Sequence, residues 1–180
     1  MTDAYRELLT GMPWISCDPG TREFGIAWWR GPMLTAAKSY AGHHYEAAHR
    51  IVNMLMMLRE ALDAGITAIA YEVPLEGGPA KSHEATMMVE ALVRLLKHEY
   101  PRLPRYGYRP RECRDALSVM GRRPTGKDGL KAAVETWARA EQPQALAILK
   151  PCLQDAYDAV AVGLTHLAAE RVRLLAEGRG

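Results

Sequence analysis

Apolar positions along the chain change period several times, and each change marks an element. Trp14 to Asp18 is a short apolar run that stops at Pro19-Gly20-Thr21, a turn signal, and Phe24 to Trp29 is a second strand-like run before Gly31-Pro32. Met33 to Tyr40 makes a third. Connections this short require antiparallel pairing, so the chain is expected to open with a three-stranded meander. From His43 to Ala64 the period lengthens: Ala48, Ile51, Val52, Leu55, Leu58 and Leu62 recur at helical spacing, and Gly65 ends the run as a C-cap. Ile66 to Val73 then reads as a buried strand, joined to the first by a crossover long enough for parallel pairing.

Ser82, followed by Met88, Ala91, Leu92, Leu95 and Leu96, predicts a capped helix to about residue 99. Arg105 to Arg109, between Pro104 and Pro110, is a short strand. Arg111 to Met120 and Leu130 to Ala140 are helical stretches around the loop from Gly121 to Lys127, and Asp155 to Ala176 is a closing helix. The sum is an α/β architecture: a mixed sheet of about five strands, an antiparallel meander plus parallel strands, with helices packed on it.

The composition, 48% hydrophobic and 24% charged over 180 residues, is that of a chain able to bury a sizeable core, and it excludes disordered, fibrous and collagen-like classes. The length suits one domain, read as residues 14–180 behind an extension over residues 1–13. Cys17, Cys113 and Cys152 are odd in number and lack zinc-ligand spacing, which points away from a disulfide framework and towards the cytoplasm. Neither a signal segment nor a run of about 18 apolar residues is present, so no membrane contact is expected. Net charge is only +2, yet it is unevenly placed. From Arg102 to Lys131 nine basic residues stand against three acidic ones, which makes the segment +6 and leaves −4 for the remainder. Such a segment on an otherwise acidic chain suits a polyanion contact beside a cation site.

The expected topology sets the candidate chemistry. The first strand and the Ile66 to Val73 strand run parallel, so Asp18 and Glu72 emerge at the same sheet edge, where ligands collect in α/β folds. Asp-Pro-Gly is good turn chemistry, which gives Asp18 a structural reading, but Glu72 follows Ile-Ala-Tyr inside an apolar strand and needs a partner. Asp155 and Asp158 open the last helix on one face, and the small residues Ala156, Ala159, Ala161 and Gly163 allow that helix to lie close to the sheet. Four carboxylates converging without cysteine suit Mg²⁺, with Mn²⁺ as a substitute, and two such ions would promote phosphodiester hydrolysis.

Ile15-Ser-Cys-Asp18-Pro-Gly-Thr-Arg-Glu-Phe-Gly25, Ile69-Ala-Tyr-Glu72-Val and Asp155-Ala-Tyr-Asp158-Ala-Val-Ala-Val-Gly-Leu-Thr-His166 together resemble the three acidic motifs of the RuvC family of Holliday junction resolvases, in order and spacing, over nearly the whole chain from about residue 14. The resemblance implies a ribonuclease H-like fold, a homodimer, and Mg²⁺-dependent paired nicking of four-way DNA junctions in recombination and repair. It implies that Asp18, Glu72, Asp155 and Asp158 are the metal-binding and catalytic carboxylates. It also implies basic residues near the scissile phosphate: Lys127 is the best match, Arg111 and Arg114 are candidates for a second position, and Arg122, Arg123 and Lys131 extend the DNA-binding set. Bacterial members carry an aromatic residue shortly after the catalytic Glu, where this chain has Leu75; with the extension before Trp14, this suggests a divergent, phage-type member.

Other readings fit parts of the pattern. A ribonuclease H-like nuclease on other branched DNA or RNA shares the carboxylates. A non-catalytic junction-binding protein would not need all four. An actin-like ATPase or kinase would explain Asp18-Pro-Gly-Thr21 but requires a second domain. His166 lies two helical turns beyond Asp158, and a packing or surface role is expected for it. His43, His44 and His49 read as solvated, and Cys17 as a small core residue. Met54, Met56, Met57, Met87 and Met88 read as gap-fillers, although Met87, Met88, Leu92 and Leu95 offer a possible dimer face.

Overall fold

The computed structural model describes residues 11–20, 23–41, 46–73, 81–118 and 123–177. In chain order the elements are β1 (Pro13–Asp18), β2 (Glu23–Arg30), β3 (Met33–Ala41), α1 (Ala47–Asp63), β4 (Ile69–Glu72), α2 (Lys81–Glu99), β5 (Arg105–Tyr108), α3 (Pro110–Ser118), α4 (Gly126–Glu141), α5 (Ala145–Leu149) and α6 (Gln154–Ala176). The five strands form one sheet in the order β3-β2-β1-β4-β5. β1 pairs antiparallel with β2, and β2 with β3; β1 pairs parallel with β4, and β4 with β5. The expected mixed sheet, meander first and parallel strands after, is therefore the one observed.

Strand periodicity divides the core into two layers. Trp14 and Ser16 of β1 and Ala70 of β4 face α6, whereas Ile15, Cys17, Ile69 and Tyr71 face α1 and α2. One layer combines α3, α4, α5 and α6 with Trp14, Ala27 and Trp29, and the other combines α1 and α2 with Ile15, Phe24 and Ile26. The same alternation aims the last residue of β1, Asp18, and the last of β4, Glu72, towards the α6 side. The register aligns Ser16 with Ala70 and Cys17 with Tyr71, so one further step sets Asp18 beside Glu72.

Close approach explains how α6 seats on the sheet. Ala156, Ala159, Val160, Ala161 and Val162 are all buried. A Cβ on Gly163 would lie 2.4 Å from the Trp29 ring, and one on Gly25 would lie 1.8 Å from the Asp155 carbonyl oxygen. Trp29 stacks on Trp14 at 5.1 Å, and its Nε1 donates to Ser16 Oγ at 2.8 Å; Ser16 Oγ in turn donates to the Ala159 carbonyl at 2.7 Å. This chain of hydrogen bonds satisfies buried polar atoms and ties the helix to the middle of β1. The expected close packing of the small residues on the last helix is thus realised.

Several boundaries differ from the sequence expectation. β4 begins at Ile69 rather than Ile66; just ahead of it the Thr67 backbone N–H and hydroxyl both donate to the Pro13 carbonyl at 2.9 Å. α4 begins at Gly126 rather than Leu130, so Lys127 stands in the first turn of a helix and not in a loop. α5 was not anticipated, since five residues, Ala145–Leu149, are too few to show a period. The suggested dimer face is also corrected. Met88, Leu92 and Leu95 are buried against Met54 and Leu58 in the α1–α2 layer, so three of the four residues belong to this chain's own core; Met87 alone is exposed.

Gly163→Ala is expected to destabilise the protein by about 1–3 kcal/mol despite the ~1 kcal/mol gain in helix propensity, because the added methyl meets the Trp29 ring. Urea unfolding of the two proteins measures this; equal or greater stability of the variant would show that α6 does not bear on Trp29.

Candidate functional site

Three elements bring acidic side chains to one cleft. Asp18 ends β1, Glu72 ends β4, and Asp155 and Asp158 stand in the first two turns of α6. Asp18, Asp155 and Asp158 each bring a carboxylate oxygen within 4.8 Å of the others. Glu72 lines the same cleft, which has a volume of about 630 Å³ and is also bounded by Gly20, Glu23, Arg114 and Lys127. The helix N-terminus favours anions there, yet the mutual repulsion of the group is large.

The protonation behaviour follows from that crowding. Burial and then the neighbouring Glu72, Asp158 and Asp155 carboxylates push the Asp18 carboxyl well above its usual range. Burial lifts Glu72 to about 7, reinforced by Asp158 and Asp155 and opposed by Arg114 and Lys127. Asp155 is raised to about 6, first by burial, with Lys127 acting in the opposite direction. Asp158 is raised by burial too, and opposed by a hydrogen bond from Gln154 Nε2 to its Oδ1 at 3.0 Å. Nearly buried carboxylates that repel one another are the condition in which a hard divalent cation is most welcome, and an all-oxygen donor set suits Mg²⁺ or Mn²⁺.

The basic candidates separate into two groups. Lys127 Nζ lies 3.6 Å from Asp155 Oδ1, and both it and Arg114 line the cleft. Arg111 and Arg123 instead flank Asp115, at 3.6 and 2.9 Å, and Lys131 lies over the Tyr157 ring at 4.8 Å. Arg122 and Leu75 lie outside the described residues. Arg114 answers the search for a cation facing Glu72, supplied by α3 and so invisible to any local pattern around β4.

Glu23 was not singled out from sequence, and it is a fifth carboxylate on the cleft that raises the pKa of Asp155. The signal was its place opposite Pro19-Gly20, at the first position of β2 in the turn that Asp18 opens. His166 is wholly buried. Its Nδ1 is 2.8 Å from the Tyr108 hydroxyl, and its ring packs on Tyr106 at 4.3 Å and Trp14 at 5.2 Å, so it packs the core. Cys17 is buried as expected, and His49 is exposed.

No family model and no curated protein matches the sequence. Solved structures do match. Thermus thermophilus RuvC in complex with Holliday junction substrate superposes with a TM-score of 0.62 over 89% of this chain and 96% of that one, at 19% identity. A second Thermus thermophilus RuvC structure gives a TM-score of 0.61 over the same shares, at 20% identity. The chain has the RuvC fold. The mixed sheet with helices packed on it is the α/β fold that the acidic motifs implied. Among the described residues no helix is long and apolar enough to cross a membrane.

Because the folded protein raises these carboxyl pKa values, it binds more protons than the unfolded chain between about pH 4 and 7, and its stability without divalent cations falls as pH rises through that window. Thermal melting in chelator is expected to give a lower Tm at pH 7.5 than at 5.5. Glu72→Gln is expected to flatten the slope. A Tm that rises over this interval in the unsubstituted protein would show that folding does not raise these carboxyl pKa values.

Proposed function

We propose that this protein is a metal-dependent, structure-specific endonuclease of the RuvC family that resolves four-way DNA junctions, with residues 14–180 as its nuclease domain. The observation that carries the proposal is the convergence of Asp18, Asp155 and Asp158 within 4.8 Å, with Glu72 in the same cleft, on a fold shared with RuvC over 89% of the chain. Asp18, Glu72, Asp155 and Asp158 would hold divalent cations. Bound Mg²⁺ or Mn²⁺ would supply Lewis-acid polarisation of the phosphodiester and neutralise charge developing on the attacking and leaving oxygens.

The chain's own groups account for the rest. Gln154 holds the Asp158 carboxylate in orientation, and Lys127 does the same for Asp155 while presenting its ammonium to the open side of the cleft. Lys127 and Arg114 place positive charge where non-bridging phosphate oxygens would sit, offsetting the repulsion between DNA and five carboxylates. Arg111, Arg122, Arg123 and Lys131 would grip the arms. The basic run through α3 and α4 then tracks the backbone, while the cleft accepts one strand. A junction has two strands to cut, and the one carboxylate cluster found among the described residues calls for a homodimer with the clusters related by a two-fold axis.

Asp18→Asn, Glu72→Gln, Asp155→Asn and Asp158→Asn are each expected to slow nicking of a labelled four-way junction in Mg²⁺ by at least about a hundredfold, with junction binding retained or tightened. Two such variants cutting at near the original rate would overturn the four-carboxylate site. A panel of junction, flap and RNA-containing substrates separates junction resolution from other ribonuclease H-like cleavage, the junction being cut best.

Lys127→Ala is expected to slow nicking and to reduce the slope of log affinity against log salt by about 0.9, one phosphate contact, whereas Arg123→Ala reduces the slope with little effect on rate. Affinity independent of salt would return the Arg102 to Lys131 segment to an ordinary solvated face.

A further inference from the structure

A second cavity, of about 320 Å³, adjoins the carboxylate cleft. Gly20 and Glu23 line both, and α2 borders both, with Ala85 and Val89 on the cleft and Met88 on the second cavity. Its walls are unlike those of the cleft. Tyr40 forms one side, half-buried and stacked near-parallel on the buried Phe24 ring at 6.1 Å and 20°. Met54 and Met57 of α1 line it further, and Asn53 of the same helix is exposed, its side-chain amide making no hydrogen bond to another described residue. Ser39 Oγ donates to the Leu153 carbonyl at 3.2 Å, which leaves its lone pairs free to accept.

These walls select a class of occupant. Arg50, the cation on this cavity, is paired with Glu84, and Glu23 adds negative charge at the shared edge, so a phosphate is disfavoured. A flat, neutral, amphipathic group is favoured: two aromatic rings side by side, polarisable methionines and an uncommitted amide are what an unstacked base requires. The volume admits one base and excludes a duplex. Because Gly20 and Glu23 line both spaces, an occupant of the cavity would sit next to whatever the cleft holds.

We propose that this cavity receives an extruded nucleobase next to the phosphate held in the carboxylate cleft, stacked on Tyr40 and met at its edge by Asn53. This rests on the nuclease reading of the cleft and adds to it a specificity-determining subsite. It gives the chain an aromatic platform on β3, on the strand side of the turn that carries Asp18. Extruding the base exposes the scissile linkage, and stacking on Tyr40 offsets the lost stacking in the DNA.

The experiment uses synthetic four-way junctions of mapped cleavage site, each with a single abasic position flanking the cut. In the unsubstituted protein, one flanking position is expected to be sensitive, with kcat/KM falling roughly five- to a hundredfold when its base is removed. Tyr40→Ala should already show that loss on the intact junction and lose less than about twofold more on the abasic one, the non-additivity expected of groups in contact. Tyr40→Phe should behave as the unsubstituted protein. Asn53→Ala, a change on an exposed helix face, should alter which base is preferred at that position. The subsite is overturned if no flanking base matters, or if the Tyr40→Ala and abasic losses multiply. In either case normal nicking of the intact junction leaves the nuclease reading standing. Absence of nicking on any junction overturns both.

Discussion

Everything in the cleft depends on how closely the N-terminal end of α6 can approach the sheet. Asp155 and Asp158 belong to a helix and Asp18 and Glu72 to strands, so their carboxylates meet only where the helix start lies directly on the strand ends. Gly25 removes the obstacle where the Asp155 carbonyl meets β2, Gly163 removes it where the helix passes the Trp29 ring, and the buried alanines fill the interval without pushing the layers apart. The packing that stabilises the protein and the geometry that assembles its acidic cluster are one contact.

That contact is made against an electrostatic cost. Burial and proximity raise the pKa of all four carboxyls, so their folded arrangement is disfavoured when each is charged. The fold tolerates this because the groups lie at the ends of elements, with Lys127 and Arg114 opposite them and the large apolar layers elsewhere. Lys127 and Arg114 offset only part of that negative charge, which leaves the cluster suited to a cation.

The parts of this design that were legible in the sequence are those that obey a local period. The meander, the parallel strands and α6 follow from apolar alternation and helical spacing, and strand alternation then points Asp18 and Glu72 to one side. The small residues of α6 advertised a close approach. What local patterns could not show is carried by contacts between distant segments. Arg114 reaches the cleft from α3, and Glu23 reaches it from the first position of β2. Gln142 clamps the edge of β3 by accepting from the Leu34 N–H at 2.9 Å and donating to the Leu34 carbonyl at 2.7 Å. The suggested dimer face failed for the same reason. An amphipathic stripe on α2 states that something covers it, and α1 of the same chain does so.

The hydrogen-bonded thread from Trp29 through Ser16 to the Ala159 carbonyl sets the angular phase of α6 about its own axis. Asp155 lies one turn before that anchor and Asp158 immediately before it, and Gly163 lies one turn after it. An α-helix turns about 100° per residue, so a single inserted or deleted residue between Asp155 and Gly163 would rotate the acidic pair away from Asp18 if the anchor held, or bring a larger side chain onto Trp29 if it slipped. The spacing of this stretch is therefore held as tightly as the identities of Asp155, Asp158 and Gly163, and a change of length should be as damaging as the loss of any one of them.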